Sequence, residues 1–312
     1  MFRLRPIVIS IVSLLILVGA VSASAAVKVV TSTTDLAWLV KEVGGNFVEV
    51  QSLLKGNENP HYVDTVPEFI REVAEAQLVC IVGLDLEIGW MPKVLSKSGN
   101  AQVQPGGKGY CEVGKSVAVI EKPTGGVDRS MGDIHPSGNP HFWVSPEAMV
   151  QASAEVVEGL GRVDPEHAAD YRNNGATLKV KLEKLLKDNR AKLAPLIAKT
   201  SGPVLVEYHK EFSYFITAYG LKSFGSLEEK PGVPPSAGRI AEVALASKSA
   251  KIKFMLAAET SPKRTIEKFV ELSGLPLIKT SPSLQAKDGK FNYVGKQNEL
   301  VNSVVEILQG KK

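Results

Sequence analysis

Cysteine is scarce in this chain: Cys80 and Cys111 are the only two among 312 residues. Cys80 lies in the apolar run Gln77-Leu78-Val79-Cys80-Ile81-Val82. Read from sequence, a buried free thiol and a bridge to Cys111 are both open, and an oxidising compartment would permit the bridge. The motifs of several enzyme classes are missing too. There is no H-E-x-x-H, no G-x-S-x-G and no P-loop lysine motif, and Gly106, Gly107 and Gly109 miss the G-x-G-x-x-G spacing. Cys80 has no activating base nearby in sequence. No block of basic residues occurs, so the chain offers no electrostatic footprint for nucleic acid or an anionic membrane.

What is present begins with an export signal. Arg3 and Arg5 precede an apolar run from Ile7 to Val21, and Ala23-Ser24-Ala25 supplies an A-x-A cleavage site. The run is too short and wrongly flanked for a spanning helix of about 20 apolar residues. Residues 1–25 are therefore expected to be a signal peptide, and no cysteine near the cleavage site suggests a lipid anchor. A soluble periplasmic protein follows. Removing this segment takes two arginines and no acids, so the formal charge falls from +4 to about +2. The remaining length suits one large domain or two smaller ones.

Strand and helix signals alternate along the mature chain. Val27 to Val30 reads as a strand, and Thr31-Ser32-Thr33-Thr34-Asp35 caps a helix to about Val43. Phe47 to Leu53 is a second strand, Pro67 opens a helix to Ala76, and Leu78 to Val82 is a third strand. This alternation indicates βαβ units and a mostly parallel sheet. From Ser98 to Gly138 the chain is irregular, with room for short strands such as Val117 to Ile120. Ser145-Pro146-Glu147 then caps a helix to about Leu160.

Asp164-Pro165-Glu166 opens the longest helical stretch, to about Ala198, with charges of alternating sign and Leu178, Leu182, Leu185 and Leu186 at helical spacing. At 1.5 Å per residue, it could extend roughly 50 Å, more than one small lobe is wide. It is expected to be a rigid connector. The alternation restarts with a strand at 204–206, helices at 210–219 and 236–246, a strand at 253–257, a helix at 262–273, a strand at 275–278 and a last helix at 294–308. The expected division is an N-terminal lobe at 26–163, a connector helix at 164–200 and a C-terminal lobe at 201–312. The fold class is α/β: two lobes, each a mostly parallel sheet flanked by helices, joined by one long helix.

Three of the five histidines stand out. Asn59-Pro60-His61-Tyr62 and Asn139-Pro140-His141-Phe142 are near copies, and Pro-Glu opens a helix a few residues after each. Proline limits the freedom of both loops. Two preorganised neutral imidazoles suit a borderline metal ion. His209 follows the strand at 204–206 directly, and ligands of α/β sheets bind at the carboxyl ends of strands. Three imidazoles leave one tetrahedral position for a carboxylate or water. Glu259, after the strand at 253–257, is the candidate for it, or for an outer partner; an acid at a helix start is the alternative. His135, six residues before His141, could touch the metal, pass it on or merely be exposed, with exposure favoured, and His167 is read as structural or solvated. Only neutral imidazole ligates, so binding should weaken on acidification.

The motifs taken together resemble the metal-specific solute-binding proteins of ABC importers, which serve zinc or manganese uptake. Asn59-Pro60-His61-Tyr62, Gly83-Leu84-Asp85-Leu86-Glu87, Asn139-Pro140-His141-Phe142-Trp143, His209 through Phe215, Tyr219-Gly220-Leu221 and Tyr293 through Asn298 fall in that family's order. The resemblance covers nearly the whole mature chain and implies two α/β lobes with the metal held between them. His61 and His141 match the N-lobe ligand positions, and His209 the first C-lobe ligand. Relatives commonly supply an aspartate where this chain has Pro282, and many zinc relatives carry a histidine-rich loop that is missing here. Manganese-selecting relatives tend to put a carboxylate at the place of His209, so the imidazole favours zinc as cargo, with manganese second.

The expected function is capture of the ion and delivery to the membrane permease of an ABC importer, by a chain that is a monomer and not an enzyme. Two rivals are a zinc hydrolase, with an activated water at the fourth position and Glu259 or Glu207 as base, and a metal chaperone or adhesin on the same fold.

Overall fold

The structure, a computed structural model, describes residues 25–127, 132, 134–200, 202–287 and 290–311. The expected signal peptide lies outside the described residues, except for Ala25. Among the described residues no helix is long and apolar enough to cross a membrane.

Two four-stranded parallel sheets form the frame. The first contains β1 (Val27–Thr31), β2 (Val48–Ser52), β3 (Leu78–Ile81) and β4 (Tyr110–Glu112) in the order β2-β1-β3-β4. The second contains β5 (Val204–Glu207), β6 (Lys222–Ser226), β7 (Ile252–Ala258) and β8 (Leu277–Thr280) in the order β6-β5-β7-β8. The two orders are the same, and all pairs are parallel. The carboxyl ends of every strand in a sheet therefore share one edge, and in each sheet the loops of that edge carry the residues of interest.

The helices are α1 (Thr34–Gly44), α2 (Pro67–Glu75), α3 (Met91–Ser98), α4 (Pro146–Val163), α5 (Ala168–Thr200), α6 (Ser213–Ala218), α7 (Ala237–Ser249), α8 (Lys263–Ser273) and α9 (Tyr293–Leu308). Their ends follow local chemistry. Thr33 and Ser145 accept from backbone N–H groups of the first turns of α1 and α4, and Gly274 closes α8 in the left-handed region at φ 69°.

Helix α5 has 33 residues and buries Tyr171, Leu178, Leu182, Leu185, Leu186 and Leu193 along one side. That side packs on α1, α4 and α9, and so touches helices of both sheets. Its exposed face carries ion pairs such as Lys184–Asp188. Such exposed pairs contribute only ~0.2–1 kcal/mol each, so the apolar side fixes the helix. One apolar cluster runs from Val27 through Leu182 to Ile307 and joins the two sheets. Within it Trp38 stacks on Tyr293 with ring centres 4.5 Å apart. Tyr293 Oη donates to the carbonyl of Trp143, and Gln297 Nε2 to that of Val144. Helix α9, last in sequence, thus returns to the loop before α4.

Two local expectations fail and one strand goes unforeseen, each for an identifiable reason. Val117 to Ile120 is not a strand. The N–H of Ala118 donates to Gln151 Oε1 and that of Ile120 to Tyr214 Oη, so side chains replace a ladder. The edge strand is β4 instead, seven residues earlier. Strand β6 (Lys-Ser-Phe-Gly-Ser) carries no alternating apolar signal because it lies at the edge of its sheet. The helix expected from Lys210 begins only at Ser213, since His209 to Phe212 turn at the site. Cys80 and Cys111 face each other in register across β3 and β4, both fully buried and both free thiols.

Candidate metal centre

Each Asn-Pro-His loop is pinned by a tryptophan. Trp90 Nε1 donates to the carbonyl of Pro60, 2.9 Å away. Trp143 Nε1 donates to the carbonyl of Pro282 at 3.1 Å, which ties the loop before α4 to the one after β8. The asparagine of each motif then sets the histidine. Asn59 Oδ1 accepts from the N–H of His61 (3.0 Å) and from His61 Nδ1 (2.9 Å). Asn139 Oδ1 accepts from the N–H of His141 (2.9 Å) and from its Nδ1 (2.9 Å). The Asn139 Nδ2 donates to Glu121 Oε2 and to the carbonyl of Lys210, which fixes the amide orientation. Nδ1 of both rings therefore carries the hydrogen, and Nε2 presents a lone pair.

His209 is oriented by a charged partner. Its Nδ1 donates to Glu228 Oε2 at 2.8 Å, and the same oxygen accepts from the N–H of Gly232. Its Nε2 is thereby turned to the other two rings. Ligand atoms of His61, His141 and His209 all lie within 4.8 Å of one another, and ring centres are 5.0 Å apart for His61–His141 and 5.4 Å for His141–His209. His141 Nε2 is buried with no hydrogen-bond partner. A buried imidazole lone pair without a donor costs free energy unless something fills the space before it.

Electrostatics divides the three. Burial holds His61 well below its ordinary value, with the charges of His209 and His135 acting the same way. Burial does the same to His141, helped by His61, His209 and His135. These two rings are neutral at neutral pH. Burial also pulls His209 down, but the hydrogen bond to Glu228 and the charges of Glu211, Glu228 and Glu207 outweigh it and leave its value raised.

The sequence reading missed Glu211 and Glu228. Glu211 lines the same cavity as the three rings, and its Oε2 is buried without a partner. Burial pushes its carboxyl to about 7; His209 draws it back and Glu228 raises it. The signal was the unusual run of acids Glu207, Glu211, Glu228 and Glu229 around one histidine. Glu259 is not brought into the group. Its N–H donates to the carbonyl of Thr280, which extends the β7–β8 ladder by one residue, and its exposed side chain lines a separate depression with Lys287, Lys290 and Glu299. Glu207, the other candidate base, is sequestered: its oxygens accept from the N–H of Phe212 and from Ser223 Oγ. His167 is structural, bonded to Asp164 and stacked on Phe47. His135, read as exposed, is only partly so and sits beside His61.

Comparison with known proteins fits this geometry. Residues 29–307 match the family described as ZnuA, zinc-uptake complex component A, periplasmic. The manganese ABC transporter substrate-binding lipoprotein PsaA of Streptococcus mitis is 24% identical over 273 residues, 85% of this chain and 84% of its own length. The iron ABC transporter substrate-binding lipoprotein MtsA of Streptococcus pyogenes serotype M1 is 25% identical over 256 residues, 80% of this chain and 77% of its own. The crystal structure of ZnuA has the same fold, with a TM-score of 0.74 at 20% identity over 90% of this chain and 98% of that one. Because the match runs across both sheets and the helix between them, the chain belongs to the ZnuA family and is a metal-binding substrate-binding protein of an ABC transporter, not an enzyme.

Proposed function

We propose that the chain captures zinc in the periplasm, between His61 and His141 on one lobe and His209 on the other, and delivers it to the membrane permease of an ABC importer. The carrying observation is the convergence of three imidazoles with their Nδ1 positions already spent on Asn59, Asn139 and Glu228. The lobes are residues 26–163 and 201–312, and residues 164–200 connect them. Manganese and iron appear in the names of PsaA and MtsA. Zinc is favoured for this chain because imidazole nitrogen suits the later ions, whereas manganese prefers oxygen donors. Glu211 and Glu228 offset the ion's charge from the outside.

The test is isothermal titration of metal-stripped protein with zinc and with manganese, alongside His61→Ala, His141→Ala and His209→Ala. One zinc per chain is expected, bound more tightly than manganese, with each substitution weakening it by at least about tenfold. Unchanged zinc affinity in any two of the three variants would overturn the assignment.

A further inference from the structure

His135 is the one histidine near the site that the three-ring group leaves out. Its Nε2 lies 3.1 Å from Nε2 of His61, and its ring centre is 5.1 Å from that of His61 and 6.3 Å from that of His141. Two depressions meet these rings. His61, His141 and His209 border one together with Glu211; His141 and His209 also border the other, which His135 and Ile134 line as well.

The segment holding His135 is built rather than draped. The N–H of Gly138 donates to the carbonyl of His135 at 3.0 Å, closing a turn. Gly138 has φ 104°, and a Cβ there would run into the Val119 side chain and the Ile120 carbonyl, so the close approach requires glycine. The N–H of Ser137 donates to Asp85 Oδ2, and that of Asn139 to the carbonyl of Ile120. Asp85 itself is held in the left-handed region at φ 67° beside Leu84 at φ 53°. Strain of this kind persists only where the surroundings enforce it.

We propose that His135 is the fourth ligand, so that the ion sits among four imidazole nitrogens. This rests on the three-histidine reading above and completes it. Two nitrogens bound to one tetrahedral zinc at about 2.0–2.1 Å stand about 3.3–3.4 Å apart, close to the His61–His135 separation. Without the ion, the pair is a hydrogen bond. His61 Nδ1 gives its hydrogen to Asn59, so His61 Nε2 accepts and His135 Nε2 donates. On binding, the ion takes the His61 lone pair, and the His135 proton moves through solvent from Nε2 to Nδ1. The Nε2 lone pair of His135 then faces the ion. A four-nitrogen set without a carboxylate discriminates further against manganese.

X-ray absorption at the zinc edge on the zinc-loaded full chain counts the imidazoles. Four are expected in the wild type, and three plus one oxygen in His135→Ala. Loss of outer-shell partners alone costs about 10–100-fold in metal affinity, so removing a ligand should weaken zinc by at least about tenfold. Manganese should weaken less, and the zinc-to-manganese ratio should fall in His135→Ala and equally in His135→Gln. Three imidazoles plus an oxygen in the wild type, with zinc affinity unchanged in both variants, would overturn the proposal and point to Glu211 or water. His141→Ala separates the two readings. If it abolishes tight binding while the His135 variants do not, only the fourth ligand is wrong; if it too has no effect, the whole site falls, and His135 with it.

Discussion

Asn139 and His141 form a closed pair two residues apart: one amide oxygen accepts both the backbone N–H and the ring Nδ1–H of the histidine, each at 2.9 Å. The same amide spends its nitrogen on Glu121 and on the Lys210 carbonyl beside His209. The ring that presents a buried lone pair to the site is thus set by a group that also reaches the second lobe. Asn59 repeats the device on His61 without the reach across.

Asn139→Ala should therefore cost more than Asn59→Ala, although neither side chain touches the ion. A lost orienting partner of a ligating histidine typically costs about 10–100-fold in affinity. We expect Asn139→Ala near the upper end and Asn59→Ala near the lower, with circular dichroism unchanged in both. Titration with zinc decides it; equal, negligible effects would show that the loops alone fix the rings.

Much of this was legible in the sequence because the signals were local. The duplicated Asn-Pro-His tetrapeptide marked two loops, Ser145-Pro146-Glu147 marked the start of α4, and the leucine spacing marked α5. What was not legible depended on partners far along the chain. Glu228 meets His209 across 19 residues, and Tyr214 satisfies Ile120 across 94. Glu259 was chosen for its place at a strand end, but strand-end position does not tell which way a side chain emerges. His135 looked exposed because nothing in its own tetrapeptide foretells that Asp85 and Ile120 hold its turn against His61.

Glu259→Ala is expected to leave zinc affinity and stoichiometry unchanged, since the side chain is exposed and outside the cavity of the three rings. Glu228→Gln should weaken zinc by about tenfold or more, because it removes the charge that orients His209 through Nδ1. Measuring both by competition with a chromophoric chelator tests the pair. A loss in the first with none in the second would reverse the two carboxylates.

Trp143 should report the ion. Its ring centre lies 5.3 Å from that of His141, and its Nε1 is bonded to the Pro282 carbonyl of the other lobe. Zinc at His141 changes the field at the indole, so fluorescence of the ion-free protein should shift on loading. Trp143→Phe should remove most of the change while Trp38 and Trp90 still emit. A full response surviving in Trp143→Phe would place the ion elsewhere.

The pH dependence follows from the division among the rings. His61 and His141 are held well below 6.5, so for them the unfolded chain binds protons more readily. Their contribution to stability is present above about pH 6.5 and lost as pH falls below it. His209 is raised, so its contribution runs the other way: fully present below about 6.5 and lost as pH rises through its folded value. For binding, this means that near pH ~6.5 these three rings give up at most one proton, from His209, and not three. Glu211, with its carboxyl at about 7, adds up to one more when the ion's charge expels its proton. Calorimetry in buffers of different ionisation enthalpy should count at most two protons per zinc at about pH 6.5 in the wild type, and at most one in Glu211→Gln. The slope of log affinity against pH should follow the same numbers and steepen only at more acidic pH, where His61 and His141 begin to protonate. A count near three at about pH 6.5 would mean that the first two rings titrate like free histidine, and that their burial and the Asn59 and Asn139 bonds do not prepare them for the ion.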